Sequence, residues 1–182
     1  EMSASLVGSE MCIRDSNGIA AAWYFATNKK DAPTALVLSR QNLPQLDGSS
    51  QEALKGGYIL EDSTKDTPDA IIIATGSEVS LAVEAKKELA AENIDVRVVS
   101  MPCMDLFEDQ PDEYKDAILP KNVTARVGVE ALSEFGWGKY IGINGEFVGM
   151  KSFGASAPGN QLFEHFGITK DAVVAAVKKT LN

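Results

Sequence analysis

Basic charge and long apolar runs are both scarce in this chain, and each shortage excludes a class of partner. Its 182 residues carry 17 Lys and Arg against 26 Asp and Glu, which gives a net charge of −9. Nucleic acid and anionic membrane surfaces both require a basic footprint, which this composition does not supply. No apolar run approaches the roughly 20 residues needed to span a bilayer. We therefore expect neither a nucleic-acid partner nor a membrane partner.

Histidine and cysteine are also rare, and this limits the sites that the chain can build. The only histidine is His165, and the two cysteines are Cys12 and Cys103. One histidine excludes a two-histidine metal site, and the cysteines form no CxxC pair of the kind that binds zinc. We therefore predict no metal site, a small core role for Cys103 and a helix-surface or half-buried position for His165. The low cysteine content fits a reducing compartment and predicts a cytoplasmic location.

The first sixteen residues, EMSASLVGSEMCIRDS, differ from the rest of the chain. They show neither the pattern of a signal peptide nor a helix or strand period. We predict that residues 1–16 are an artefact of sequence assembly or a disordered leader.

Residues 17–50 are predicted to be the end of one domain and a linker. A helical period covers 17–28, and the continuous apolar run ALVL at 35–38 is typical of a strand buried on both faces of a parallel sheet. The upstream sequence supplies no neighbouring strand, so we expect the sheet of this strand to lie outside the chain. We also expect residues 1 to about 50 to be poorly ordered or loosely docked, because an unpaired apolar strand has nothing to hold it.

Residues 56–182 are predicted to form a complete domain in which strands and helices alternate. The predicted strands are 56–60 at a sheet edge, followed by 70–75, 95–99, 124–129 and 146–151. The predicted helices include 78–92, with Ser77 as N-cap, 158–166, stopped by Gly167, and a last helix capped by Thr169. The fold class is therefore α/β: a three-layer α/β/α domain with a mostly parallel, mixed sheet of about five strands, preceded by a helix–strand remnant of another α/β domain.

Arg40 is the candidate binding residue. It follows the strand 35–38, and the carboxyl end of a parallel strand faces the crevice in which α/β proteins bind ligands. The planar fork of a guanidinium matches two phosphate oxygens. The alternative is a surface arginine paired with Glu52 or Asp47, and the residues alone leave both interpretations open.

The TGSE turn at 75–78 follows a strand and precedes a helix, which is the outline of a phosphate loop. It lacks GxGxxG and the P-loop lysine, and Glu78 would repel an anion. We interpret it as an ordinary capped turn rather than an anion site.

Glu130 follows a predicted strand, a position from which a carboxylate can be catalytic. We predict a structural role instead, as an acceptor for loop amides around Gly136 and Gly138. Trp137 and Tyr140 are interpreted as packing or interface residues.

Five segments occur in an order that resembles transketolases, the thiamine-diphosphate enzymes of the pentose phosphate pathway. They are SRQNLPQL at 39–46, ATGSEVSLA at 74–82, VSMPCMDLFEDQ at 99–110, FGWGKYIG at 135–142 and SFGASAPGNQLFEHFGIT at 152–169. The resemblance covers the chain from Asn17 onward.

The resemblance implies a C-terminal fragment: the end of the pyrimidine-binding domain at 17–50 and the complete C-terminal domain at 56–182. The parent would be a homodimer that transfers a two-carbon ketol unit between sugar phosphates, with thiamine diphosphate and a divalent metal, Mg or Ca. In that family the arginine of the SRQNL motif, here Arg40, contacts the phosphate of the substrate. The family's Gly-Asp-Gly motif, activating glutamate and channel histidines lie upstream of these segments. The resemblance thus implies no catalytic, cofactor-binding or metal-binding residue in this chain, and an isolated chain without activity.

Two alternatives remain. The chain can be a non-catalytic assembly or regulatory module, for example a subunit of a split enzyme. It can also be the C-terminal domain of a related thiamine-diphosphate enzyme, a 2-oxoacid dehydrogenase or a deoxyxylulose-phosphate synthase, although SRQNLPQL favours transketolase.

Overall fold

A small parallel sheet lies at the beginning of the chain. The structure is a computed structural model that describes residues 9–13, 16–39 and 41–182. Strand β1 (Ser9–Ile13) pairs in parallel with strand β2 (Thr34–Leu38), and helix α1 (Ser16–Asn28) joins them. The expectation that the upstream sequence supplies no neighbour for β2 is therefore wrong. SEMCI has an apolar run of only three residues and no strict alternation, so its pairing is visible only in three dimensions.

Strand β2 is less buried than its sequence predicts. Val37 and Leu38 are 37% and 55% exposed, so the described residues do not bury this strand on both faces. Burial by a sheet outside the chain stays a prediction. Helix α1, in contrast, packs against residues of the second domain: Ala22 is fully buried and joins Cys103 and Leu106 in one apolar cluster. Whether this first unit is dynamically loose stays a prediction.

The larger sheet has five strands in the order β3–β5–β4–β6–β7. Strand β3 at one edge is antiparallel to β5, and all other pairs are parallel, which confirms the predicted mixed sheet. The strands are β3 (Tyr58–Glu61), β4 (Ala70–Ala74), β5 (Val96–Ser100), β6 (Arg126–Glu130) and β7 (Glu146–Gly149).

Helices cover both faces of this sheet. They are α2 (Val79–Ala91), α3 (Met104–Glu108), α4 (Asp112–Ile118), α5 (Gly138–Ile141), α6 (Gly159–Phe166) and α7 (Lys170–Thr180), with 3-10 turns at Gln51–Lys55 and Gly76–Glu78. The Thr169 hydroxyl accepts a hydrogen bond from the Ala172 amide at 3.2 Å, as predicted for an N-cap. Gly167 ends α6 with φ of 69°, a left-handed conformation that glycine adopts without strain. None of the helices in the described ranges has the length and apolarity needed to cross a bilayer.

The two faces of the sheet have separate apolar cores. Successive side chains of a strand point to opposite faces. Ile72 of β4 therefore packs with residues of α2 and α7, whereas Ile71 and Ile73 pack with Phe107 and Trp137 on the other side. All three isoleucines are fully buried. This is the predicted three-layer α/β/α arrangement.

The strand order opens a crevice at one end of the sheet. From β4 the chain continues to β5, its neighbour on one side. From β5 it crosses back over β4 to form β6, the neighbour of β4 on the other side. The loops after these strands consequently diverge above the carboxyl end of β4. Open α/β sheets bind their ligands at such a reversal of strand order.

Candidate functional site

The predicted phosphate contact, Arg40, lies outside the described residues. Its neighbours are described: Ser39 follows β2, and its hydroxyl donates to the carbonyl oxygen of Gln41 at 3.4 Å. The side chain of Gln41 lies against Gly159 at the start of α6, where a Cβ atom would come within 2.1 Å of its Nε2. The structure thus brings the SRQNL segment and the SAPGNQ segment together, although they are far apart in sequence.

Glu52, one of the alternative partners considered for Arg40, is engaged elsewhere. Its carboxylate binds the ammonium of Lys55 at 2.6 Å, and the amide of Glu52 donates to the Ser50 hydroxyl, the N-cap of that 3-10 turn. Burial, reinforced by the negative charge of Glu52, raises the pKa of Tyr114 to about 12. Glu52 therefore belongs to a local polar cluster that fixes the turn preceding β3.

A second candidate site is the crevice at the carboxyl ends of β4, β5 and β6, which we call the strand-end crevice. Its volume is about 220 Å³. Its described lining includes Thr75, Met101, Asp105, Glu130, Phe135 and Trp137.

Glu130 organises one wall of the strand-end crevice. Its Oε2 accepts a hydrogen bond of 2.7 Å from the indole Nε1 of Trp137, which is only 1% exposed. Trp137 packs in turn on the rings of Tyr140 and Phe147, with centroids 6.4 and 5.5 Å away. The packing role predicted for Trp137 and Tyr140 is confirmed. Glu130 binds in the predicted loop, where the described structure gives the indole of Trp137 as a partner; bonding to the loop amides stays a prediction.

The TGSE segment departs from the predicted capped helix. Ser77 is not the N-cap of α2: Gly76–Glu78 form a 3-10 turn, and the Ser77 hydroxyl donates to the Glu78 carboxylate at 2.8 Å. Glu78 is only 5% exposed. A buried carboxylate without a hydrogen-bond donor is costly, so the Ser77 hydroxyl pairs with Glu78 and does not cap the helix. Burial raises the pKa of Glu78, and the charge of Glu130 adds to this shift. The carboxylates around this turn disfavour an anion there, in agreement with the interpretation from sequence.

Thr75 has an unusual position in the strand-end crevice. It is 4% exposed, and its hydroxyl oxygen has no hydrogen-bond partner within the described part of the chain. Leaving a buried polar group unpaired costs roughly 1–3 kcal/mol. Sequence reasoning missed this residue, because nothing in the TGSE pattern distinguishes a paired hydroxyl from an unpaired one.

Cys103 and His165 have the environments predicted for them. Cys103 is 2% exposed, and burial raises the pKa of its thiol, as expected for an inert core cysteine. His165 is exposed on α6 with its ring against Phe166 at 4.8 Å.

The described residues do not fit a divalent metal. Across 9–13, 16–39 and 41–182 there is no group of three or more His, Cys, Asp or Glu side chains that could hold one. No reaction step through a metal or a metal-bound diphosphate is therefore assigned to these residues.

Comparisons with known proteins identify the family. The family described as "Transketolase-like TK C-terminal domain" matches residues 56–169, more than half of the chain. The transketolase of Bacillus subtilis is 54% identical over 172 aligned residues, which are 92% of this chain and 26% of that protein. The chain thus spans about a quarter of the length of such relatives.

Solved structures agree with the sequence comparison. The transketolase of Leishmania mexicana superposes with a TM-score of 0.89 at 43% identity, over 96% of this chain and 25% of that chain. A Pichia stipitis transketolase, solved in complex with sedoheptulose 7-phosphate, gives a TM-score of 0.89 at 42% identity, over 98% of this chain and 26% of that chain. These matches favour transketolase over the related thiamine-diphosphate enzymes. The chain belongs to the family of transketolase-like C-terminal domains.

Proposed function

We propose that this chain is the C-terminal part of a transketolase, an enzyme that transfers a two-carbon ketol unit between sugar phosphates. The observation that carries the proposal is the 54% identity to a transketolase across 92% of the chain. Identity at this level extends beyond the residues needed for a shared fold. The coverage of 26% of that relative leaves the rest of the catalytic machinery to preceding polypeptide.

Within that enzyme, we assign Arg40 to the phosphate of the sugar substrate. The related Pichia stipitis enzyme was solved with sedoheptulose 7-phosphate, which is a sugar phosphate. Strand β2 ends at Leu38, so residue 40 follows the carboxyl end of a parallel strand. The packing of Gln41 against Gly159 restrains the segment next to Arg40. A guanidinium there offers two parallel donors to phosphate oxygens.

The parent enzyme would use thiamine diphosphate and a divalent metal, Mg or Ca, as a cytoplasmic homodimer. Thiamine diphosphate supplies the carbanion chemistry of ketol transfer. The proposal assigns the groups that hold this cofactor to preceding polypeptide. The isolated chain is consequently expected to be inactive, and its contribution is to bind substrate phosphate and to complete the fold.

A chimera tests the proposal directly. The C-terminal quarter of the Bacillus subtilis transketolase is replaced by residues 17–182, and transfer from xylulose 5-phosphate to ribose 5-phosphate is measured. We expect an active chimera, whereas the isolated 182-residue chain shows no turnover even with added thiamine diphosphate and magnesium. A folded but inactive chimera would favour a non-catalytic assembly or regulatory module. Turnover by the isolated chain would refute the assignment of cofactor binding to preceding polypeptide.

The assignment of Arg40 has its own test in the same chimera. Arg40→Ala removes charge-assisted bonds to phosphate, so KM for xylulose 5-phosphate should rise about ten- to hundredfold. The KM for xylulose without its phosphate should stay unchanged. Lys151→Ala, which removes an exposed cation from the loop after β7, is the matched control. An equal effect of Arg40→Ala on both sugars would show that Arg40 acts on folding and not on the phosphate.

A further inference from the structure

Asparagine followed by glycine is prone to spontaneous loss of its side-chain amide, and the chain contains this pair twice. Asn17 precedes Gly18, and Asn144 precedes Gly145. The reaction requires the backbone nitrogen of the second residue to reach the side-chain carbonyl carbon of the first. Glycine has no Cβ, so it gives that nitrogen the freest approach. The two pairs look alike in sequence, but the fold places them in different surroundings.

The Asn144–Gly145 pair lies in an exposed turn between α5 and β7. The amide of Gly145 donates to the carbonyl oxygen of Gly142 at 3.4 Å, which is long for a hydrogen bond of this kind. Asn144 is exposed, and its side chain has no hydrogen-bond partner among the described residues. A cavity of about 300 Å³ lies beside the turn and has Asn144 in its wall. The side-chain amide is therefore free to rotate towards Gly145, and water has access to it.

The fold requires the glycine of this pair. A Cβ atom on Gly145 would lie 2.4 Å from the carbonyl oxygen of Ile141, a distance at which the backbone would have to move. The close approach therefore keeps a glycine directly after Asn144, and the susceptibility of the pair is a consequence of how the chain enters β7.

The Asn17–Gly18 pair is held in the first turn of α1. Both residues have helical backbone, and closing a ring between them requires ψ of Asn17 to leave the helical value of about −42°. The Nδ2 atom of Asn17 also donates to the carbonyl oxygen of Ser49 at 3.0 Å. Backbone and side chain are thus both restrained against the reaction.

Asn122 provides a comparison in which only the following residue differs in kind. It is exposed in a turn in which the Val123 amide donates to the carbonyl oxygen of Pro120 at 3.0 Å. Its turn is closed by the same type of bond as that of Asn144. The next residue, however, is a buried valine, whose branched Cβ hinders the approach of its own nitrogen.

We propose that Asn144 is a site of spontaneous deamidation, whereas Asn17 and Asn122 keep their amides in the folded chain. The Gly145 nitrogen gives its proton to solvent and attacks the side-chain carbonyl carbon of Asn144. A carbon–nitrogen bond forms and closes a succinimide ring. The bond to the original amide nitrogen breaks, and that nitrogen leaves as ammonia with a proton from solvent. Water then opens the ring at either carbonyl carbon and leaves aspartate or isoaspartate.

The product differs from the original chain in charge and in backbone length. Deamidation adds one negative charge to a net charge of −9. The new carboxylate belongs to the wall of a cavity that Lys121 and Arg126 also line, and these cations favour the charged product. Isoaspartate also inserts a methylene group into the main chain directly before β7. The proposal does not rest on ketol transfer.

Incubation in labelled water tests the proposal on the intact 182-residue chain. The folded chain is kept at mildly alkaline pH in water enriched in heavy oxygen, and its peptides are then analysed by mass spectrometry. We expect conversion at Asn144 to be at least about tenfold faster than at Asn17 and Asn122. Each converted residue should contain one oxygen atom from the solvent, and an isoaspartate-specific methyltransferase should methylate part of the product.

Unfolding in urea separates the effect of the fold from that of the sequence. The Asn17–Gly18 rate should rise to about that of Asn144–Gly145, because both backbones are then equally free. Asn122 should remain slow, since valine still follows it. Asn144→Gln should abolish the reaction at this position in the folded chain, whereas Asn122→Gln, the matched control, should leave the rate at Asn144 unchanged.

Several results would overturn the proposal. These are equal rates at Asn144 and Asn17 in the folded chain, equal rates at Asn144 and Asn122, and a product without solvent oxygen. An Asn144 that stays intact in the folded chain but reacts in urea would overturn it as well, because the turn would then protect the pair.

Discussion

Gly128 is the residue of β6 over which the indole of Trp137 packs, and its substitution tests the packing of the central sheet. A Cβ atom at this position would lie 2.8 Å from Trp137 Cε3, 2.9 Å from Phe147 Cδ2 and 3.2 Å from Ile141 Cγ2. Contacts between carbon atoms are optimal at about 3.5–4.0 Å, so Gly128→Ala forces rings in a close-packed core to move. Overpacking of this kind typically costs about 1–3 kcal/mol.

The net effect is smaller than the steric cost. Replacing glycine by alanine in an element interior gains about 0.5–1 kcal/mol from the unfolded state. We therefore expect Gly128→Ala to lower the free energy of unfolding by about 1–2 kcal/mol. For a chain of this size that is a fall in Tm of roughly 2–8 °C. The assay is urea unfolding with thermal melting as a second measurement, and the m-value should stay constant.

Two controls separate packing from the general effect of a methyl group. At Gly138 a Cβ atom would meet no described atom within 4 Å, so Gly138→Ala should be neutral or slightly stabilising. In a Phe147→Ala background one of the short contacts disappears, so Gly128→Ala should cost at least about 0.5 kcal/mol less there. A neutral or stabilising Gly128→Ala, or a cost independent of Phe147, would refute this account of the packing.

Two buried or paired carboxylates and the first strand pair give three more testable expectations. Burial acts to raise the pKa of Asp62, but its hydrogen bonds to Arg97 and Ser63 lower that pKa on balance. The stabilising effect of the carboxylate is therefore present above the ordinary pKa of about 3.9 and is lost as the pH falls through the folded pKa. Asp62→Asn should flatten this loss of stability, measured by urea unfolding between pH 3 and 7. Burial raises the pKa of Glu78, so the free energy of unfolding should decline as the pH rises through the pKa of the folded state. Glu78→Gln should remove that decline. An unchanged dependence of stability on pH in this variant would contradict the expectation. Strand β2 pairs only with β1 among the described strands and has exposed side chains, whereas β4 is buried along its length between two strands. The amides of β2 should therefore be weakly protected from hydrogen exchange and those of β4 strongly protected. Equal protection of the two strands would count against a loose first unit.

The sequence was sufficient to predict the framework of the five-stranded domain. AIIIA of β4 is apolar along its whole length, and such a run fits only a strand covered on both faces. The caps of α6 and α7 were predictable because Gly167 and Thr169 act through local backbone geometry. The order of five motifs then led to the transketolase family.

Features that depend on distant residues were not predictable. Arg97, the second residue of β5, is only 8% exposed, and its burial is compensated by Asp62 at 2.7 Å and by the carbonyl oxygen of Ala117, which accepts from it at 2.7 Å. No local pattern reveals those partners. Ser77 was expected to cap a helix, but a buried neighbour, Glu78, takes its hydroxyl. The strand β1 was missed for the same reason, since its pairing with β2 is a tertiary contact.

The candidate sites show the same division between local and distant information. Arg40 was proposed from a motif, and Glu130 was singled out by its place after a strand. Thr75 was not recognised, although it stands in the quoted TGSE turn, because an unpaired hydroxyl becomes visible only when every neighbour is in place.

The topology of the domain explains why a ligand site can exist here without preceding polypeptide. The reversal of strand order around β4 requires only β4, β5, β6 and their connections, all of which the chain contains. The crevice volume, its acidic lining and its unpaired hydroxyl arise from side chains on those same elements. A phosphate contact at Arg40, in contrast, is useful only where a cofactor and the remainder of a sugar are held nearby. Ketol transfer should therefore require the longer enzyme, whatever the isolated domain binds.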